Sequence, residues 1–168
     1  MKSTPAYILR NCAMWLKDDV KLGQVTEMTV PAFKVKTEGM RAAGMVMERE
    51  IPMGYERENA RFKMAGLDPA SVSAINGMAG TQDTLMITGA LVDEDGTVNN
   101  ATAYMRGFLK EADFGTWSAG GKAETDYAFA WEYLKLEIGG VVQIEADDFD
   151  VTIGGVNQTG DIRAALLL

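Results

Sequence analysis

Histidine is absent from the 168-residue sequence. That removes the usual general base, the commonest metal ligand and any histidine-dependent triad. A single cysteine, Cys12, excludes an internal disulfide; in its apolar, strand-like run it is expected to be a small core residue. Cations are in the minority, 16 Lys and Arg against 24 Asp and Glu, a net charge of -8 that argues against gripping nucleic acid by neutralising phosphates. No apolar run approaches the roughly 18 residues of a membrane span, and no signal-peptide core opens the chain, so a cytoplasmic protein is expected. Prolines number four against 18 glycines, a balance suited to tight turns between strands.

Signatures of chemistry are missing too. The glycines at 39–44 and 77–80 are not followed by the Lys and Ser/Thr of a phosphate loop. Asp93, Glu94, Asp95 and Gly96 read as a hairpin turn, because the glycine comes too early for a calcium loop. Glu145, Asp147, Asp148 and Asp150 form a carboxylate cluster that would suit a cation or a catalytic pair. It reads more simply as a solvated strand end, with nothing apolar nearby to raise one pKa. Trp117, in a glycine-rich excursion, is read as a packing anchor rather than a stacking platform. No cofactor is implied.

What the chain does have is long strands. Residues 98–113, 123–138 and 141–151 read as three in succession, turned at Gly139 and Gly140. In the second, Tyr127, Phe129, Trp131 and Tyr133 alternate on one face as core, while Glu124, Asp126, Ala128, Ala130 and Glu132 share the other. After Tyr133 the apolar phase slips to Leu134, Leu136 and Ile138, which predicts a bulge or a strand leaving one packing surface for another. Further strands are expected at 7–16, 22–30, 55–65 and 84–92, about eight in all. One short helix is expected near 68–77, capped by Asp68, begun by Pro69, docked through Val72 and Ile75 and stopped by Gly77. The apolar end, 162–168, is expected to be docked.

Methionines number eleven, and Met28, Met40, Met45, Met47, Met53 and Met64 fall in one third of the chain. The segment Gly39, Met40, Arg41, Ala42, Ala43, Gly44, Met45, Val46, Met47 is small and apolar but has no clear period. It is either a buried loop end or an arm whose apolar partner is another subunit; on a monomer it would invite aggregation.

Four blocks, in order along the chain, resemble the major tail tube protein of contractile-tailed phages, a form also used by R-type contractile bacteriocins. They are Arg41, Ala42, Ala43, Gly44 and Met45; Met105, Arg106 and Gly107 with Lys110, Glu111 and Asp113; Tyr133, Leu134, Lys135 and Leu136 with Gly139 and then Ile144, Glu145, Ala146 and Asp147; and Val156 and Asn157 with Asp161. The excursion around Trp117 and residues 81–100 match less well. The resemblance implies a mainly β (α+β) fold, a split β-barrel or sandwich of two packed antiparallel sheets with one short helix and a long extended arm. The chain would be a single tail-tube domain, 1–168, with an inter-ring arm at about 34–53.

The function implied is a structural subunit, not an enzyme. Homohexameric rings would stack into a hollow conduit for DNA ejection or membrane puncture, assembled in the bacterial cytoplasm with tail sheath, baseplate and tape-measure proteins. DNA would pass through without specific binding, and Glu124, Asp126, Ala128, Ala130 and Glu132 are the candidate lumen face. The alternatives are a tube subunit of a type VI secretion-like machine, a monomeric small-molecule-binding β-barrel, and an enzyme built on the acidic cluster.

Overall fold

The structure, a computed structural model, describes residues 8–168. Its elements in chain order are β1 (Ile8–Leu16), β2 (Asp19–Val20), β3 (Val25–Thr29), β4 (Phe33–Met40), β5 (Arg49–Arg57), β6 (Ala60–Ala65), α1 (Pro69–Ser73), β7 (Asp83–Val92), β8 (Val98–Asp113), β9 (Glu124–Ile138), β10 (Val141–Ala146), β11 (Val151–Ile153), β12 (Val156–Asn157) and α2 (Gly160–Ala165). Tyr7, expected to begin the first strand, lies outside the described residues. The run expected as one strand at 55–65 is split at residues 58–59.

All pairings between these strands are antiparallel, the isolated bridge between Ile75 and Leu109 being parallel, and among the described residues there are two sheets and no closed barrel. The larger follows the order β12-β11-β10-β9-β8-β7-β1-β2, with β6 and β3 branching from β9; the smaller is β4 with β5 alone. The branch is the organising feature. β8 covers β9 on one side from Asp126 to Ile138. The other side of β9 is shared, β6 taking Glu124 to Phe129 and β10 taking Leu134 to Ile138. One long ribbon therefore carries two lobes, and they part at residues 130–133.

The ribbon can serve two lobes because bulges re-aim its side chains. The register slips where Arg106 and Gly107 face Tyr133 and Trp131, leaving Glu132 as the extra residue. Thr125, Tyr127, Phe129 and Trp131 point inward, and so does Leu134. The bulge thus lies one residue earlier than the sequence suggests, which corrects the place of Tyr133. Expected in the core, it is half-buried on the opposite face. There its ring meets Tyr104 edge-on at 6.2 Å and lies under the Arg106 guanidinium at 5.1 Å. Its hydroxyl donates to Glu145 Oε1 at 2.7 Å. Burial and that carboxylate push the phenol up to about 12.

At the same bulge β8 and β9 come unusually close. A Cβ on Gly107 would lie 2.0 Å from the Ala130 carbonyl oxygen and 2.8 Å from Trp131 Cα, both backbone atoms. Glycine is required by space here, not by dihedral angle. Gly107→Ala is expected to destabilise the subunit by about 1–3 kcal/mol, the usual cost of forcing extra bulk into a packed site, read as a lower urea midpoint at unchanged slope.

The core between the lobes is built on Met14, Leu85, Met105, Leu109 and Phe129, with Phe62 stacked on Tyr127 at 4.9 Å. Helix α1 closes one end. Asp68 is its N-cap, accepting from the Ser71 N–H at 3.1 Å and the Ser71 hydroxyl at 2.6 Å. Lys21, 5 % exposed, reaches from the β2 side to donate to Asp68 at 2.8 Å and to Asp19. This clamp turns Ser71 and Ala74 inward, in place of the expected Val72 and Ile75. Val72 is half-buried, and Ile75 is exposed beside its bridge to Leu109. The helix ends at Ser73, short of Gly77.

Two further expectations are corrected. Cys12 is exposed, because over its first half β1 is the last strand of the sheet among the described residues. The apolar end is not docked: Leu166, Leu167 and Leu168 are exposed after α2, a helix the sequence reading did not foresee.

Candidate functional site

The surfaces with unmet bonding capacity fall into three groups, each traceable to the local sequence.

The first is the arm. Among the described residues β4 and β5 pair only with each other, from Phe33 opposite Arg57 to Met40 opposite Arg49. An isolated two-stranded hairpin is marginal in water, so its root is where order originates. Phe33 and Tyr55 pack with ring centroids 5.2 Å apart. The Arg57 guanidinium lies 4.9 Å over Trp131 and pairs with Asp148 at 2.7 Å. The Trp131 indole N–H donates to the Glu58 carbonyl at 2.7 Å. Lys34 pairs with Glu58.

At the far end, Gly44 takes a φ of +87°, and the Met45 N–H donates to the Ala42 carbonyl at 3.1 Å. Arg41 Nε donates to the Met45 carbonyl at 3.2 Å. The small-residue motif 41–45 is thus a closed turn, not a buried loop end. It holds Val46 and Met47 outward at 85 % and 79 % exposure, with Met40 and Met53 also exposed and Ala43 at the surface. The sequence lacked a period here because both faces of the hairpin are open. Gly39, the remaining glycine of this stretch, lies within β4 opposite Glu50.

The second group is unpaired strand edge. β2 covers only Trp15 and Leu16 of β1, so the side of β1 away from β7 has no strand partner from Ile8 to Ala13 among the described residues. Ile8 and Leu9 are exposed there. Among the described residues β3 is likewise open on the side away from β6. Such edges template pairing with another chain.

The third is a charged face on the first half of β9. Glu124 and Asp126 are exposed, Ala130 and Glu132 half-buried, and Glu132 accepts from Gln82. Ala128, expected on the same open face, is fully buried, because the register sets the long side chains of Arg61 and Glu111 on either side of it. The same register adds residues that alternation within one strand could not reveal. Asp113 lies opposite Asp126, and Lys63 opposite both Asp126 and Glu27. Lys63 is 3.9 Å from Asp126 and 3.6 Å from Glu27, and those two carboxylates hold its amine above the usual lysine range. With Glu132, six carboxylates (Glu27, Glu111, Asp113, Glu124, Asp126 and Glu132) thus share the face with the cations Arg61 and Lys63. Asp113 and Asp126 directly opposed cost stability, which Lys63 offsets.

Each carboxylate of the acidic cluster near residue 147 has a partner within the subunit, though Asp147 has no ion pair among the described residues. Asp147 Oδ1 accepts from the Phe149 and Asp150 N–H groups, Asp148 pairs with Arg57, Asp150 pairs with Arg163 and accepts from Thr159, and Glu145 takes the Tyr133 hydroxyl. Asp150 is held below the usual carboxylate range, chiefly by the Thr159 hydroxyl. Trp117 packs on no core: it is 71 % exposed, its indole N–H donating to the Phe114 carbonyl at 3.1 Å.

The sequence model of the family described as phage tail tube protein FII matches residues 6–166. No curated protein matches the chain. Among solved structures, a chain of the anti-feeding prophage baseplate, determined by cryo-EM with six-fold symmetrisation, is similar at TM-score 0.57 and 10 % identity, over 80 % of this chain and 97 % of that one. A chain from the PVC sheath/tube terminator of an extracellular contractile injection system, in the extended state, is similar at TM-score 0.54 and 11 % identity, over 82 % and 99 %. A type six secretion system protein follows at TM-score 0.49 and 11 % identity, over 88 % and 98 %. At such identities the first two likenesses are likenesses of fold.

Proposed function

Because this chain belongs to the phage tail tube protein FII family, we propose that it polymerises into the hollow tube of a contractile tail or related injection particle, as hexameric rings stacked on one another. The observation that carries this reading is the pairing of an open β1 edge with an arm whose apolar tip is preformed and unburied. Around the ring, the β1 edge of one copy pairs with an open edge of the next, a heterologous contact that closes by rotation and removes the edges. Between rings, Met40, Met45, Met47 and their neighbours on the 34–53 arm bury against the adjacent ring, where flexible thioethers tolerate an imperfect fit. The role is mechanical rather than catalytic. Sheath, baseplate and tape-measure proteins are the further partners, met in the bacterial cytoplasm before the particle is complete.

Electron microscopy of the concentrated full chain tests this. Rings or hollow tubes are expected, and a featureless monomer at every concentration overturns the reading.

We further propose that the face of Glu124, Asp126, Ala130 and Glu132, widened by Glu27, Glu111 and Asp113, lines the bore, with Ala128 beneath its surface. Repeated around and along a tube, its excess of carboxylates repels phosphate, so DNA passes without the counterion release that would hold it. Particles carrying Glu124→Lys, Asp126→Lys and Glu132→Lys are expected to eject DNA several-fold more slowly at low salt and to recover as salt is raised. Unchanged ejection at all salt concentrations removes this face from the lumen.

A further inference from the structure

Where β6 and β10 part along β9, the root of the arm leaves a cleft of about 390 Å³, within the roughly 300–1,000 Å³ of sites that hold ligand-sized groups. Phe33, Tyr55 and Trp131 give it an aromatic floor and wall. Its rim is acidic. Arg57 is paired to Asp148, and the nearby Arg163 to Asp150, which leaves Glu56 and Asp147 as lining carboxylates with no ion pair among the described residues. The cleft therefore suits a group that is apolar at its tip and cationic at its edge.

The excursion at residues 114–123 has that character. It contains no carboxylate, and Lys122 is its one charge. Trp117 stands out from it, and Lys122 lines the same small surface hollow as Trp117. The Trp117 indole N–H is already satisfied by the Phe114 carbonyl, so the ring can be buried without stranding a donor. The other exposed apolar elements fit less well. The arm tip sets Glu38, Glu48 and Glu50 against Arg41 and Arg49 and so carries no net positive charge, and the cation of the chain end, Arg163, is already committed to Asp150.

We propose that the Trp117 loop of one copy seats in the arm-root cleft of an adjacent copy, Trp117 stacking on the aromatic floor and Lys122 meeting Glu56 and Asp147. The inference rests on the tube reading and adds to it a specific inter-subunit lock. The lock bears on the arm as well as on the ring, because the cleft is walled by the residues that root the arm. Filling it fixes the direction in which the hairpin leaves the body.

The test uses the full chain, with assembly followed by sedimentation and electron microscopy against protein concentration. Trp117→Ala is expected to leave the monomer's urea midpoint unchanged and to raise the concentration needed for assembly at least tenfold. Lys122→Glu is expected to do the same, and Lys122→Glu combined with Glu56→Lys to restore assembly. The tryptophan emission of the unsubstituted chain is expected to shift to the blue on assembly, and Trp117→Phe to lose most of that shift. Trp117→Ala assembling at the unsubstituted concentration overturns the lock, and so does a failure of Glu56→Lys to rescue Lys122→Glu. Either result leaves the tube reading standing, since the unsubstituted chain would still form tubes. Only an unsubstituted chain that never assembles counts against both.

Discussion

Asp68→Ala is expected to lower the stability of the free subunit by about 3 kcal/mol at neutral pH. That is the low end of the cost of removing one partner from a buried ion pair; the low end applies because Asp19 still meets Lys21 on its exposed side. Two losses combine. The N-cap of α1 goes, worth about 1 kcal/mol, and an amine 5 % exposed loses its buried counter-ion. Asp68→Asn separates them, because it retains a capping oxygen and removes the charge.

The same carboxylate sets a pH window. Burial works against its charge, but the bonds from Lys21 and Ser71 outweigh that and hold it at about 2, against an ordinary 3.8. Since its folded value is depressed, its contribution is whole above pH 3.8 and is lost as the pH falls toward 2, the unfolded chain taking up the proton first. The shift corresponds to roughly 2 kcal/mol. Urea midpoints measured between about pH 5 and pH 2 are expected to show that loss in the unsubstituted chain and not in Asp68→Asn.

The second large effect falls on association. Replacing Met40, Val46 and Met47 together by serine is expected to leave the subunit's own stability within about 0.5 kcal/mol, since all three are exposed. Full burial of a valine or methionine side chain contributes roughly 1.5–3 kcal/mol. Losing Val46 and Met47 alone from an inter-ring contact therefore raises the assembly concentration by at least about a hundredfold. A variant that keeps its urea midpoint and stays monomeric where the parent forms tubes is the expected result. Equal assembly would place the arm tip outside the contact.

How far the amino-acid sequence announces this structure depends on how local each cause is. The alternation at Tyr127, Phe129 and Trp131 is a property of one strand, and it was readable. So was the α1 cap, where Asp68 and Pro69 carry their own geometry. The identity of the extra residue at the bulge was not, because Glu132 is chosen by the close approach of Gly107 on the neighbouring strand. Tyr133 changes faces as a result. The inward side of α1 was missed for the same kind of reason: it is set by Lys21, 47 residues away from Asp68. Ala128 looks like an open position until the register supplies Arg61 and Glu111. The arm and the chain end both advertise apolar surface, but apolarity says only that a residue is better off covered. At 162–168 it suggests a docked end, yet Leu166 to Leu168 remain uncovered.

The undivided ribbon of β8 and β9 has a bearing on how the subunit deforms. Two lobes joined by a flexible connector could swing apart. Here they are threaded on one pair of strands, so relative rotation must wind or unwind the strand pair itself. Strain is then held as elastic twist and returned when the stress is removed. Amide exchange is expected to begin at the outer strands of each lobe and to reach the stretch around Leu109 and Phe129 last, at a free energy close to that of unfolding the whole subunit.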